Sequence, residues 1–168
     1  MISYRAANSD DAPVLDHIFD TSFCDTFGHL YAPEDLQSFL GSFGIDDWRE
    51  HIADPAFSIR IAEVNGEPVG YIKIGPLKLP IEAEGPGLLL DQLYVLKELH
   101  GSGIAQSLMD WGFDESRRRG AAQLFLTVFI DNHRARRFYD RYGFEAVGRY
   151  DFMVGNHADE DIIRRKKL

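Results

Sequence analysis

The chain carries a single cysteine, Cys24, in 168 residues. That excludes an internal disulfide and a thiolate metal site. Six histidines, at positions 17, 29, 51, 100, 133 and 157, show no His-x-x-x-His spacing, so no metal centre is expected. No apolar run approaches the ~20 residues of a membrane span. The opening Met1-Ile2-Ser3-Tyr4-Arg5 lacks the apolar block of a signal peptide. A cytoplasmic, reducing setting with no membrane partner is expected. Positive charge is scarce as well: 18 Lys and Arg stand against 27 Asp and Glu, a net charge of −9. Nonspecific nucleic-acid binding rests on cationic contacts, so no nucleic-acid partner is expected. The same field favours cationic ligands such as amines and polyamines, although acidity also serves solubility alone.

The length and a hydrophobic fraction of 45% suit one domain, residues 1–168, with a full core. Ile2 to Ala6 reads as a first strand. Ser9 or Asp10 caps a helix with Pro13 in its opening turn, and Leu15, Ile18, Phe19, Ser22 and Phe23 recur at helical spacing. A second helix is predicted from Pro33 to about Phe43 and a third from Asp46 to Ala53. Phe57, Ile59 and Ile61 alternate as a strand, Asn65-Gly66 turns the chain, and Val69 to Ile74 returns. Pro76 to Gly87 is a loop, and Leu88 to Leu96 is a fourth strand. A helix follows from Ile104 to about Arg119, then a strand from Ala122 to Ile130 and a helix from Arg134 to Tyr142. Val147 to Val154 and Ile162 to Leu168 complete the sheet, joined by a polar turn from Gly155 to Asp161. The predicted class is α/β, a mixed sheet of about seven strands with helices packed on it.

The stretch with most chemical content is His100-Gly101-Ser102-Gly103-Ile104-Ala105, between the fourth strand and an amphipathic helix. Glycines let backbone N–H groups converge, and a helix N-terminus adds about half a positive charge. A phosphate-bearing cofactor fits such a cradle; an ordinary turn would look the same. It is not a Walker loop, because no Gly-Lys-Ser/Thr follows, and Gln106 breaks the full GxGxxG spacing. A second cluster, Asn132-His133-Arg134-Ala135-Arg136-Arg137-Phe138-Tyr139-Asp140-Arg141-Tyr142-Gly143-Phe144, follows the fifth strand.

Together the two clusters resemble the GNAT superfamily of acyl-CoA-dependent N-acyltransferases. Its phosphate motif, Gln/Arg-x-x-Gly-x-Gly/Ala, is matched from His100 to Ala105 except that His100 replaces Gln/Arg. Its Asn-x-x-Ala-x-x-Phe-Tyr-x-x-x-Gly-Phe motif is matched from Asn132 to Phe144. Thr21 to Phe27, Leu93-Tyr94-Val95 and Tyr150 to Gly155 are similar to the PaiA-type spermidine/spermine acetyltransferases. The resemblance implies the GNAT fold, with strands four and five splayed, and acetyl-CoA (CoA) as cosubstrate. It implies direct transfer to an amine in a ternary complex, with Cys24 not required as a nucleophile. It also implies that the backbone of Leu93, Tyr94 and Val95 pairs with the pantetheine arm. His100, Gly101, Ser102, Gly103, Ile104, Ala105 and Gln106 would hold the pyrophosphate, chiefly through N–H groups. Asn132, Ala135, Phe138 and Tyr139 would line the coenzyme, Asn132 reaching a pantetheine amide and Tyr139 serving as general acid. Capping and packing are the rival roles of Asn132 and Tyr139.

Asp91 is the candidate base or ammonium anchor. Strand geometry puts Asp91, Leu93 and Val95 on one face, which would line the acceptor site or lie under a helix. A water relay through Asp91, Tyr94 or a backbone carbonyl is an alternative. Acceptor selection would draw on residues 21–48, where Asp25, Phe27, His29, Tyr31, Glu34, Asp35 and Trp48 mix carboxylates with aromatics. Arg117 to Arg119, Arg134, Arg136 and Arg137 could reach the CoA ribose phosphate or form solvated helix faces. The basic tail Arg164 to Lys167 could pair with the acidic surface of a second copy in a homodimer. The expected acceptor is a small amine, polyamines first. A protein N-terminus or lysine, and a noncatalytic acyl-CoA sensor, are the rival readings.

Overall fold

The computed structural model describes all 168 residues, Met1–Leu168. In chain order the elements are β1 (Ile2–Ala6), α1 (Ala12–Phe27), α2 (Pro33–Gly41), α3 (Ile45–Ala53), β2 (Ser58–Val64), β3 (Glu67–Pro76), β4 (Gly87–Val95), α4 (Ile104–Arg118), β5 (Gln123–Phe129), α5 (His133–Asp140), β6 (Glu145–Val154) and β7 (His157–Lys167). The strands form one sheet in the order β1-β2-β3-β4-β5-β7-β6. Every neighbouring pair is antiparallel except β4 and β5, which run parallel. This is the seven-stranded mixed sheet expected from the sequence. No helix is long and apolar enough to cross a membrane.

Local chemistry explains most element ends. Asn8 rather than Ser9 or Asp10 caps the first helical turn, accepting from the Asp10 N–H while Asp11 accepts from the Asn8 N–H. Pro13 then opens α1, where its missing N–H costs nothing. Leu15, Ile18, Phe19, Ser22 and Phe23 form the buried stripe of α1. Asn65 and Gly66 turn from β2 into β3 with φ of 52° and 84°, the left-handed pair a tight hairpin requires.

Each face of the sheet builds its own core. On one, Ile104, Leu108, Met109 and Phe113 of α4 pack against Ile72, Ile74, Leu90 and Val95. On the other, α1 and α3 bring Leu15, Ile18 and Trp48 onto Ile61 and Tyr71.

The last hairpin differs from the sequence expectation. Instead of a turn from Gly155 to Asp161, the chain reverses over Gly155 and Asn156, and His157 already pairs with Val154. Gly155 takes φ 57°, and Asp35 of α2 accepts the Asn156 N–H at 2.9 Å. Residues 157–161 are polar because this end of β7 borders a cleft, not because it is a loop. Asp159 and Asp161 are each about 95% buried, with 5% and 6% exposure.

Gly70 marks the tightest approach between β3 and β4. A Cβ there would sit 2.8 Å from the Tyr94 carbonyl oxygen and 3.2 Å from the Val95 Cα. Main chain cannot yield as a side-chain tip can. Gly70→Val is therefore expected to destabilise the protein by about 1–3 kcal/mol in urea unfolding.

Candidate active site

β4 and β5 pair only where Gly87, Leu88 and Leu89 meet Gln123, Leu124 and Phe125. Beyond those residues the strands part and a cleft of about 1050 Å³ opens between them. The Leu96 N–H donates to Val69 of β3 at 2.8 Å. Alternate residues of a strand present their backbone groups to opposite sides. The N–H and C=O of Val95, and of Leu93 before it, therefore point away from β3 and into the gap.

The glycine loop lies at the mouth of that gap. Gly101 and Gly103 take φ of 82° and 88°, and a Cβ on either would meet nothing within 4 Å. Gly103 is also the N-cap of α4, whose first intrahelical bond is Ser107 N–H to Gly103 C=O. The N–H groups of Gly101, Gly103, Ile104, Ala105 and Gln106 consequently have no acceptor within the chain. Those of His100 and Ser102 turn inward, to Lys97 and Leu99. The Ser102 hydroxyl also caps Leu99 O. Ser102 thus shapes the loop and offers no donor to the gap.

His100 has a structural task that its departure from the family pattern did not announce. Its Nε2–H donates to Val95 O at 2.8 Å, while Nδ1 accepts from the Arg134 guanidinium. These two bonds require the Nε2–H tautomer. They tie the end of β4 to the first turn of α5 across the mouth of the gap. Asn132 caps α5, accepting the Ala135 N–H at 3.2 Å. Ala135, Phe138 and Tyr139 line the cleft from that helix. Tyr139 packs edge-on to Phe138 and Phe144, with centroids 5.3 and 5.7 Å away. Burial alone raises its phenol well above the ordinary value, so it stays protonated.

Asp91 does not share a face with Leu93 and Val95. Lys73 pairs with Gln92 and Ile74 with Leu90, which leaves Asp91 in a β-bulge. The extra residue resets the alternation. Leu93 and Val95 face the α4 core, whereas Asp91 turns to the opposite face and meets the Lys73 ammonium at 3.3 Å. Lys73 is 1% exposed and lies 4.7, 4.8 and 5.1 Å from the rings of Phe43, Trp48 and Phe57. Burial pulls its pKa down, and the Asp91 charge opposes that. Trp48, read from sequence as an acceptor-site aromatic, is instead fully buried above Tyr71, with centroids 5.3 Å apart.

The rest of that face is aromatic. Phe19, Phe23, Tyr31 and Phe39 from α1, α2 and their linker line the cleft opposite Tyr94, Phe129 and Phe152. Asp25 and Phe27 also reach it. His29 and Glu34 are solvent-exposed and line no part of it, and Asp35 is held at the β6–β7 turn. The sequence reading missed Asp159 and Asp161, which rise from β7 on this side. Tyr31 donates its hydroxyl to Asp159, whose other oxygen meets His157 Nε2 at 3.1 Å. The one available signal was their spacing of two, which places both on one face of a strand. The cleft thus joins a row of free main-chain donors, a protonated tyrosine and a carboxylate-bearing aromatic chamber.

Comparison with known proteins converges on one group. A model of the Acetyltransferase (GNAT) family matches residues 17–144. An uncharacterised N-acetyltransferase of Mycobacterium bovis is 31% identical over 138 residues, covering 82% of this chain and 85% of the relative. One from Lactobacillus delbrueckii subsp. lactis is 28% identical over 160 residues, 94% of this chain and 92% of the relative. Among solved structures, the PaiA N-acetyltransferase of Thermoplasma acidophilum in complex with coenzyme A superposes with a TM-score of 0.80 at 20% identity, over 100% of this chain and 99% of that one. By class the chain is an acyltransferase. It belongs to the Acetyltransferase (GNAT) family, as an N-acetyltransferase.

Asp91 and Lys73 generate a testable coupling. Asp91→Asn leaves the buried ammonium without its counter-charge and should cost about 1–3 kcal/mol in urea unfolding at pH 7. Adding Lys73→Met should recover most of that loss, whereas additive costs would show the two side chains to be independent.

Proposed function

We propose that the protein transfers an acetyl group from acetyl-CoA to the primary amine of a small cationic acceptor, polyamines first, by direct attack in a ternary complex. The observation that carries this reading is the continuity of the gap. It begins at Gly101, Ala105 and Gln106, whose N–H groups are uncommitted, and ends among the aromatic rings and carboxylates of the opposite face.

The residues present fit the coenzyme. Convergent N–H groups at a helix N-terminus suit a diphosphate, and open space at Gly101 and Gly103 lets it approach the main chain. The inward-facing backbone of Leu93 and Val95 suits an extended amide chain laid along β4, as an added strand. Val95 C=O is already taken by His100, so Leu93 offers the free carbonyl. Asn132 fixes the start of α5 and so sets the height of Tyr139 beside the same chain.

Acetyl-CoA supplies an already activated thioester, so the protein needs no covalent nucleophile. Cys24 agrees: it is largely exposed and outside the cleft, and partial desolvation, then the charges of Asp20 and Asp25, raises its thiol pKa. The tasks left to the chain are positioning, proton removal from the acceptor and protonation of the leaving sulfur. Tyr139 suits the last by its place: it is protonated and lines the cleft. Asp91 is committed to Lys73, and we assign it to holding the bulge rather than to moving protons. The aromatic chamber and the net charge of −9 support a cationic acceptor.

Free-thiol release from acetyl-CoA across an amine panel tests the reading. Turnover with spermidine above that with peptide amines is expected; the reverse order would move the acceptor to a protein N-terminus or lysine. Binding without turnover on any amine would leave a sensor. Tyr139→Phe should lower kcat by about 100-fold with acetyl-CoA affinity unchanged. Gly103→Val should weaken acetyl-CoA binding at least about tenfold by calorimetry, ~1.4 kcal/mol, because its side chain projects into the phosphate cradle.

A further inference from the structure

We propose that Asp161 is the group that anchors the acceptor ammonium and takes its proton. This rests on the transferase reading above and adds the residue that makes the amine nucleophilic.

The case starts from the pairing of β7. Asp161 lies opposite Phe129 of β5 and Tyr150 of β6, with Asp159 two residues before it on the same face. It is 6% exposed and lines the cleft. A carboxylate so buried is ordinarily matched by a cation, and no Lys, Arg or His lies within salt-bridge distance of Asp161. Asp159, equally buried, is fully used: one oxygen accepts from Tyr31 and the other meets His157. Asp161 has the Thr127 hydroxyl as a hydrogen-bonding neighbour and no counter-charge. Of the two carboxylates, it is the one aimed at the cleft without a charge partner.

No cation is in ion-pair contact with Asp161: His157 is held by Asp159, and Lys73, which also lines the cleft, is paired with Asp91; Lys97, Arg134 and Arg141 line the same cleft. Asp159 repels Asp161, whose own charge raises the phenols of Tyr31 and Tyr94. Tyr150 pairs with it across β6, and Asp25 lines the same cleft from α1. Burial first, then Asp159, pushes Asp161 up to about 7, with Thr127 offsetting part of the shift. A base near neutrality loads and releases a proton at working pH. The aromatic rings of Phe23, Tyr31 and Phe39 line the same cleft and suit the cationic form of the amine.

The proton balance closes without any further reactant. The ammonium gives one proton to the Asp161 carboxylate, which later releases it to solvent. The free amine forms a C–N bond to the thioester carbonyl carbon, and the C–S bond breaks. A second proton leaves the nitrogen, and Tyr139 passes one to the departing sulfur and is refilled by it. The products are the N-acetyl amide, free CoA thiol and one proton.

The test compares wild type with Asp161→Asn. Acetyl-CoA affinity by calorimetry should be equal in both. For the best amine of the panel, wild-type kcat/KM should rise to a plateau above about pH 7. The variant should fall at least about 100-fold at pH 7. It should then climb steadily toward pH 10, because only amine already deprotonated in solution can react. The two chains should also differ in stability with the sign set by linkage. A carboxyl raised in the folded state holds its proton there while the unfolded chain has lost it. Wild-type stability therefore declines between about pH 4 and pH 7, and Asp161→Asn should melt higher than wild type at pH 8 but not at pH 4. An unchanged rate and profile in the variant would overturn the proposal. Should no amine be acetylated although acetyl-CoA binds, the transferase reading fails separately. Titration of the CoA-bound protein with spermidine then decides on Asp161: binding lost in the variant supports it as the ammonium anchor, and equal or absent binding refutes it.

Discussion

The parting of β4 from β5 is the constraint on which the rest of the molecule turns. A sheet interior ordinarily pairs every N–H and C=O, because an orphaned buried group is costly. Here the parallel ladder stops after three residue pairs, leaving backbone groups of Leu93 and Val95 turned toward the gap, of which His100 takes the Val95 carbonyl. The gap persists because each strand is held from its other side. β4 is laddered to β3 over seven residue pairs, and β5 to β7 over another seven. Beneath the gap, α4 packs Ile104, Leu108 and Met109 against the floor. The opening is thus an unfinished edge inside a rigid sheet. An extended ligand with its own amides is the natural completion of such an edge.

A second consequence follows on the other face. One extra residue in β4 turns Asp91 away from Leu93, and the buried Lys73 ammonium fixes it there. Lys73 is itself enclosed by Phe43, Trp48 and Phe57, which belong to the linker after α2, to α3 and to the loop just before β2. The geometry of the strand in the cleft is therefore coupled to packing of helices well outside it. A buried charge pair contributes little net stability against an apolar pair of the same shape. Its retention at a bulge fits a role in register rather than in energy.

Local patterns were legible in the sequence wherever one element decides its own geometry. The buried stripe of α1, the Asn65-Gly66 hairpin, the glycines before α4 and the Asn132 cap could be read because spacing and φ requirements lie within a few residues. Long-range features could not. The bulge at Asp91 depends on the register with Lys73, and a one-residue slip reverses which face a side chain takes. Residues 157–161 read as a turn because they are polar, yet β6 pairs with them and a cleft accounts for the polarity. The substitution of His100 for Gln/Arg gave no hint of its bonds to Val95 and Arg134, which lie on separate elements.

The two halves of the cleft are built on different principles. In the proposed reading the coenzyme half relies on main-chain donors and glycine conformations, so it constrains few side chains, and the other half would take the acceptor. The acceptor half relies on side chains gathered from α1, α2, β6 and β7, joined by the Tyr31–Asp159 bond and by Asp35 at the Asn156 turn. Asp161 is buried in that half, and burial is the main reason its carboxyl is raised. Hydrating Asp161 would restore ordinary acidity without removing any reacting atom. In the proposed mechanism acceptor choice and proton handling are therefore linked, because the enclosure that would receive a cation also buries the proposed base.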